Sequence, residues 1–228
     1  MSTPTKRIAF HTLGCKLNFS ESSTIKRNFI KRGYEPVHYK ECADYYVLNT
    51  CSVTENADKE ARKLIRQAKR INPYSTVAVI GCYAQLKPNE IAEIDGVDIV
   101  LGANEKFNIL NHLENHHLEN ETKVIHKKIN YDKKFVPSYS INERTRSYLK
   151  IQDGCDYTCS FCTIPLARGK SRSETIANTV KIAKNISRSD SREIVLTGVN
   201  VGDFGKDSKE TLFDLVQQLD LLKDIDRF

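Results

Sequence analysis

The sequence lacks any apolar run approaching the roughly 20 residues that a membrane-spanning helix needs, so no membrane partner is expected. Its N-terminal stretch, MSTPTKRIAFHTLGCK, lacks a small-residue cleavage site, so a secretory signal is not expected and a cytoplasmic location is. There is no internal repeat and no low-complexity tail. An even cysteine count is also missing. The cysteines are Cys15, Cys42, Cys51, Cys82, Cys155, Cys159 and Cys162, an odd set of 7 that argues against a disulfide framework and for reduced thiols acting as ligands or nucleophiles. The 228 residues are 39% hydrophobic and 28% charged, the make-up of a soluble globular chain with one large or two ordinary domains. The net charge of +6 suits a polyanionic partner without requiring one.

The first half alternates β-rich runs with helical patterns, which predicts an α/β domain with a parallel sheet. Strands are expected at 7–14, 43–50, 75–81 and 97–102, and helices at 20–31, from a Thr54 cap to Ile71, at 89–94 and at 106–118. In the helix ending at Ile71, Ala61, Leu64, Ile65 and Ala68 share one face, while Lys59, Arg62, Lys63, Arg66 and Arg70 form a solvated opposite face. Residues 121–142 are lysine-rich, contain a proline and show no helical period, so they read as an edge strand and linker. A second βα series follows, with strands at 146–154 and 193–200 and helices at 173–186 and 209–225.

Cys15, Cys51 and Cys82 each come just after a predicted strand, in the turn-like settings GCKLN, NTCSV and GCYAQ. Ligands of open parallel sheets bind outside the carboxyl ends of the strands, so three thiols from three βα turns share one edge there. Half-buried inert core cysteines are the plain alternative. Cys42, at the start of a strand, reads as structural. Cys155, Cys159 and Cys162 form CxxxCxxC behind another strand, with Gly154 before them. Structural zinc is closed by four ligands, and no fourth cysteine or histidine lies nearby; His112, His116 and His117 read as solvated on a polar helix. Three thiolates suit a four-iron cluster with one iron left open to a non-protein ligand.

CxxxCxxC with Phe161 before its last cysteine resembles the signature of the radical S-adenosylmethionine enzymes. The resemblance implies that the methionine part of S-adenosylmethionine chelates the open iron, and that one electron then releases a 5'-deoxyadenosyl radical. TLGCKLN (12–18), LNTCSVT (48–54), GCYAQ (81–85), YLKIQDGCDYTCSFCTIPLARGKSRS (148–173) and EIVLTGVNVGDFG (193–205) resemble successive landmarks of the methylthiotransferases. That family implies two 4Fe-4S clusters, an auxiliary one on Cys15, Cys51 and Cys82 and the radical-forming one on Cys155, Cys159 and Cys162. Phe161 and Asn200 become the expected S-adenosylmethionine contacts. Lys16 after the first cysteine points to the branch that modifies threonylcarbamoyladenosine beside the tRNA anticodon, at carbon 2 of the adenine, rather than to the isopentenyladenosine or ribosomal-protein branches.

The expected organisation is a methylthiotransferase domain at 1–120, an edge strand and linker at 121–142 and the start of a partial (β/α) radical barrel at 143–228. The sequence resembles the N-terminal half of the family only, without the remaining barrel units or the C-terminal RNA-binding domain called TRAM. tRNA is the expected partner, with Arg168, Lys170 and Arg172 meeting its phosphates. An electron donor of flavodoxin or ferredoxin type, an unspecified sulfur donor and a monomeric state complete the expectations. Rival readings stay open: a methylthiotransferase acting on isopentenyladenosine in tRNA, a non-catalytic metal-binding RNA module, and a radical enzyme that uses the auxiliary cluster for electron transfer alone.

Overall fold

The computed structural model describes residues 5–51, 55–116, 121–127, 129 and 135–228, and these divide into two compact units. Unit 1 is Met1–Asn18 with Ile25–Ile129, and unit 2 is Phe19–Thr24 with Asn130–Phe228. The class is α/β in both.

Unit 1 is built on strands β1 (Arg7–Thr12), β2 (Glu35–Val37), β3 (Tyr45–Thr50), β4 (Thr76–Gly81), β5 (Ile99–Leu101) and β6 (Lys123–Ile125). They form a 6-stranded sheet in the order β2-β1-β3-β4-β5-β6, with every pairing parallel. Its helices are α1 (Lys16–Lys31, of which Phe19–Thr24 count with unit 2), α2 (Glu55–Ile71), α3 (Cys82–Leu86), α4 (Pro88–Ala92) and α5 (Ile109–Glu114). β3 and β4 are buried at every position, as central strands of a sheet covered on both faces should be. Their side chains alternate between two cores. Tyr46, Leu48, Val77 and Val79 join Ala61, Ile65 and Ala68 of α2 on one face, while Val47, Ala78 and Ile80 join Ile25 and Phe29 of α1 on the other. The amphipathic reading of α2 holds, and the Thr54 cap lies outside the described residues.

Several boundaries differ from expectation. The first helix starts at Lys16 rather than residue 20, because the chain turns into it directly from Cys15. A short helix, α3, begins at Cys82 itself. The helix foreseen at 106–118 opens with a 3₁₀ turn over Lys106–Asn108 before α5. β2 carries Pro36, which removes a ladder donor and suits only an edge.

In unit 2, β7 (Ser138–Tyr139), β8 (Ser147–Lys150) and β11 (Ile194–Thr197) form a sheet in the order β11-β8-β7. β8 and β11 are parallel and β7 is antiparallel to β8. The strand expected at 146–154 is broken: after Ile151 the chain leaves the sheet, and β9 (Gln152–Asp153) pairs antiparallel with β10 (Arg172–Ser173). Between β9 and β10 lies α6 (Ile164–Arg168), a helix of 5 residues with Pro165 in its first turn, a position that suits proline. α7 (Ile176–Ser187) is capped by the Thr175 side chain, which accepts from the Asn178 N–H. α8 (Leu212–Asp220) opens with a capping box between Thr211 and Asp214. Both pack Ile182, Ile186, Leu215 and Leu219 onto Leu149, Ile151 and Ile194. Beyond α8, Arg227 bridges in parallel to Glu193 beside β11.

Candidate functional site: two cysteine trios

The first trio stands at the carboxyl edge of the sheet in unit 1. Register places Thr12 beside Asn49, and Thr50 beside Gly81, so Cys51 and Cys82 leave adjacent strands at the same level. The order 2-1-3-4-5 puts the topological switch point between β1 and β3, where open sheets hold their ligands, and Cys15 and Cys51 leave from those two strands.

The motif residues around the cysteines tie the three turns together. Asn18, fully buried, donates from Nδ2 to the Leu13 carbonyl at 3.1 Å and to the Thr50 carbonyl at 3.0 Å. Asn49 returns a bond from its own Nδ2 to the Asn18 carbonyl at 3.0 Å. Thr50 Oγ1 donates to the Ile80 carbonyl at 2.7 Å. Two glycines make the approach possible. Gly14 has φ +98° and a Cβ there would stand 2.9 Å from Cys51 Sγ, while Gly81 has φ +104° and its Cβ would stand 2.3 Å from the Thr50 carbonyl oxygen.

Cys15 caps α1 without a side-chain hydrogen bond of its own, at the end of the helix where the backbone dipole favours negative charge. It is exposed, Cys51 is half-buried and Cys82 is buried at the start of α3, correcting the turn-like setting read from the sequence. No disulfide joins any of the cysteines, and Cys42, expected to be structural, is exposed.

The second trio lies in unit 2 on the loop behind β9. Gly154 turns the chain with φ +72°, and its Cβ would meet the Lys170 carbonyl oxygen at 2.0 Å. Cys155 then donates its N–H to the Gly169 carbonyl at 3.0 Å, and Cys162 donates to the Cys159 carbonyl at 3.1 Å. Cys155 is half-buried, Cys159 and Cys162 are exposed, and Phe161 is fully exposed beside them. Asn200 follows β11, as expected, and its N–H is held by Gln152 Oε1 at 2.9 Å. Lys206 pairs with Asp156 at 3.0 Å and lies over the Tyr157 ring. The Lys206 ammonium, helped by the Ser171 N–H, holds the Asp156 carboxyl below its usual range.

Beneath this loop unit 2 carries a buried charge network. Asp153 accepts from the Gly154 N–H at 2.9 Å, from Arg168 at 2.9 Å, from Lys150 at 3.3 Å and from Arg172 at 3.1 Å. Glu21 meets Lys150 at 3.0 Å and Arg168 at 3.2 Å. The expectation that Arg168 meets phosphates is corrected: it is 4% exposed, because these two carboxylates draw its guanidinium inward. Arg172 is partly buried on Asp153, whereas Lys170 is exposed. In unit 1, His112 also departs from its solvated reading, pairing with Glu105 at 3.2 Å.

Within each trio the backbone gathers the cysteines, yet among the described residues no group of three His, Cys, Asp or Glu side chains is close enough to hold a metal ion. The donor chemistry fits: each trio supplies three thiols with no fourth protein ligand among the described residues, which suits an iron–sulfur cluster with one open iron better than a closed zinc site. Sequence reading missed Lys150, Gln152, Asp153 and Asp156, which lie within the landmark at 148–173, and Glu21, for which it carried no signal.

The fold and the trios define an α/β chain whose second unit starts a βα series. Its fold matches that of the radical S-adenosylmethionine methyltransferase TsrM from Kitasatospora setae, solved with cobalamin and a [4Fe-4S] cluster, at a TM-score of 0.56 and 12% identity over 87% of this chain and 50% of that one. Residues 7–102 match the model described as "Uncharacterized protein family UPF0004". Threonylcarbamoyladenosine tRNA methylthiotransferase MtaB is 42% identical in Bacillus subtilis and 39% identical in Aquifex aeolicus, each over 93% of this chain and covering 48% and 52% of those proteins. A tRNA-2-methylthio-N(6)-dimethylallyladenosine synthase of Hydrogenobaculum is 31% identical over 95% of the chain and 51% of its own length. The chain resembles the N-terminal half of the MtaB-like methylthiotransferases, and it spans about half the length of the curated relatives it matches. No helix among the described residues is long and apolar enough to cross a membrane.

Proposed function

We propose that this chain carries the two metal centres of a tRNA methylthiotransferase that adds a methylthio group at carbon 2 of N6-threonylcarbamoyladenosine. The observation that supports the reading is the pair of cysteine trios, each behind the carboxyl end of a strand and each stopping at three thiols. The identity to the threonylcarbamoyladenosine enzymes, up to 42%, favours that nucleoside over dimethylallyladenosine. In this reading 1–120 is the auxiliary-cluster domain, 121–142 an edge strand and linker, and 143–228 the start of the radical barrel.

Cys15, Cys51 and Cys82 would hold one 4Fe-4S cluster and Cys155, Cys159 and Cys162 the other. Bound together with S-adenosylmethionine, these groups supply a hydrogen-abstracting radical, a methyl group and a sulfur source. The chain's own residues position them. Gly14, Asn18, Asn49 and Gly81 hold the first three turns in contact. Asp153 holds the start of the second loop through the Gly154 N–H. Phe161, fully exposed, and Asn200 are the proposed S-adenosylmethionine contacts. Lys170 remains a candidate for tRNA phosphates. A cytoplasmic setting, a flavodoxin or ferredoxin-type electron donor, an unspecified sulfur donor and a monomeric state belong to the same proposal.

Anaerobic reconstitution tests the metal assignment: about eight irons per chain are expected, falling to about four when Cys15, Cys51 and Cys82 are replaced by serine. Stoichiometric zinc without iron would support a non-catalytic metal-binding RNA module instead. Mass analysis of tRNA nucleosides from cells with and without the gene tests the substrate, and an unchanged methylthio-threonylcarbamoyladenosine level would reject it.

A further inference from the structure

We propose that Gln152 is a positioning residue that locks the end of β11 to the start of the cysteine loop. It thereby sets the separation between the Asn200 backbone and the Cys155–Cys162 sulfurs. The proposal deepens the reading of this loop as an S-adenosylmethionine and cluster site and rests on it.

The argument begins where the sheet stops. The parallel ladder of β8 and β11 ends with the Ile151 N–H donating to the Thr197 carbonyl at 2.9 Å, and β9 then turns away to pair with β10. From that point the Gln152 side chain carries the connection. Its Oε1 accepts the Asn200 N–H at 2.9 Å. Its Nε2 lies 2.8 Å from the Gly154 carbonyl, 3.1 Å from the Asp153 carbonyl and 3.0 Å from Ser171 Oγ. One amide therefore joins the residue before Cys155, the strand β10 region and the backbone of Asn200.

Gln152 is fully buried, so each of these bonds is made away from water and none is readily replaced by solvent. Gly198 leaves room for it: a Cβ there would stand 2.9 Å from Gln152 Oε1 and 3.0 Å from its Cβ. The glycine of TGVN thus has a local reason. A packing role alone would need a side chain of this volume but no amide, and would not need donor and acceptor ends aimed at two different segments.

Two variants perturb the link differently. Gln152→Leu keeps most of the volume and deletes the hydrogen bonds, while Gly198→Ala keeps the amide and displaces it. In the metal-free chain, amide hydrogen exchange at Asn200 is expected to speed about tenfold or more in Gln152→Leu, while β3 and β4 are unchanged. In the reconstituted chain both variants are expected to retain wild-type iron and to bind S-adenosylmethionine about tenfold more weakly, read from the change in the reduced cluster's EPR signal on titration. Wild-type affinity within about twofold in a variant with full iron overturns the proposal. If Gln152→Leu does not fold, Gly198→Ala decides by the same titration. A wild-type chain that takes up no iron rejects the metal reading itself; unchanged exchange at Asn200 then also rejects the positioning role, and faster exchange upholds the link it depends on.

Discussion

The two cysteine trios are placed by opposite routes. Cys15, Cys51 and Cys82 come from three strand ends, set at one edge by the register of β1, β3 and β4 and by the hydrogen bonds of Asn18, Asn49 and Thr50. Cys155, Cys159 and Cys162 share one loop, which needs no distant strand to assemble but must be anchored at its base. The first site is therefore as stable as a sheet buried on both faces. The second depends on a few charged and polar side chains, chiefly Asp153 and Gln152. Damage to either site should be separable: one set of changes acts on unit 1, the other on unit 2.

The largest expected effect is at Asp153. Asp153→Ala leaves Arg168, Lys150 and the Gly154 N–H without a buried acceptor they now share. Removing one partner from a buried ion network costs about 3–5 kcal/mol, because the remaining charges stay desolvated. Urea unfolding followed separately in each unit should show that loss in unit 2 and little change in unit 1. A loss below about 1 kcal/mol would mean that water already screens these charges.

Next in size is Gly81→Ala, aimed at the other trio. The residue would keep φ +104°, and its Cβ would meet the Thr50 carbonyl oxygen and Asn49 Oδ1 at 2.3 and 2.5 Å. Strained backbone of this kind costs about 1–3 kcal/mol before the collision is counted. The expected outcome is a lower melting point for unit 1 and, on the proposed assignment, loss of about four of the eight irons taken up on reconstitution, the four assigned to Cys155, Cys159 and Cys162 being retained. Equal loss from both trios would show that the two sites are not independent.

The contrast also explains what could be read from the sequence. β3 and β4 announced themselves as continuous β-rich runs, and the face of α2 as a helical period, because these patterns are local. CxxxCxxC was legible for the same reason. The first trio needed the fold class as an intermediate, since the rule linking strand ends to ligand sites supplies what spacing does not. The Glu21, Lys150 and Arg168 network was invisible. Its members are far apart in the chain, and Arg168 sits in a basic run that reads as a phosphate-meeting surface until its two carboxylates are located. Gln152 was hidden in a strand that the sequence continued and the structure breaks.

The smallest effect expected concerns pH, and it again divides the units, since every histidine of the sequence lies in the part of the chain that forms unit 1. His11 is half-buried on β1 with its ring 5.3 Å from that of Tyr39. Burial disfavours the imidazolium and holds its pKa below the usual value; Glu60 opposes this and His38 adds to it. The unfolded chain then takes up a proton near pH 6.5 while the folded unit still resists it. Stability from this group is complete above about pH 6.5 and falls as pH drops through that value toward the lower folded pKa. Urea midpoints of unit 1 at pH 7.5 and 5.5 should differ less in His11→Gln than in the wild type, and the midpoint of unit 2 should not respond to the substitution. An equal pH response in His11→Gln and wild type would move the effect to the paired His112 or to the other histidines.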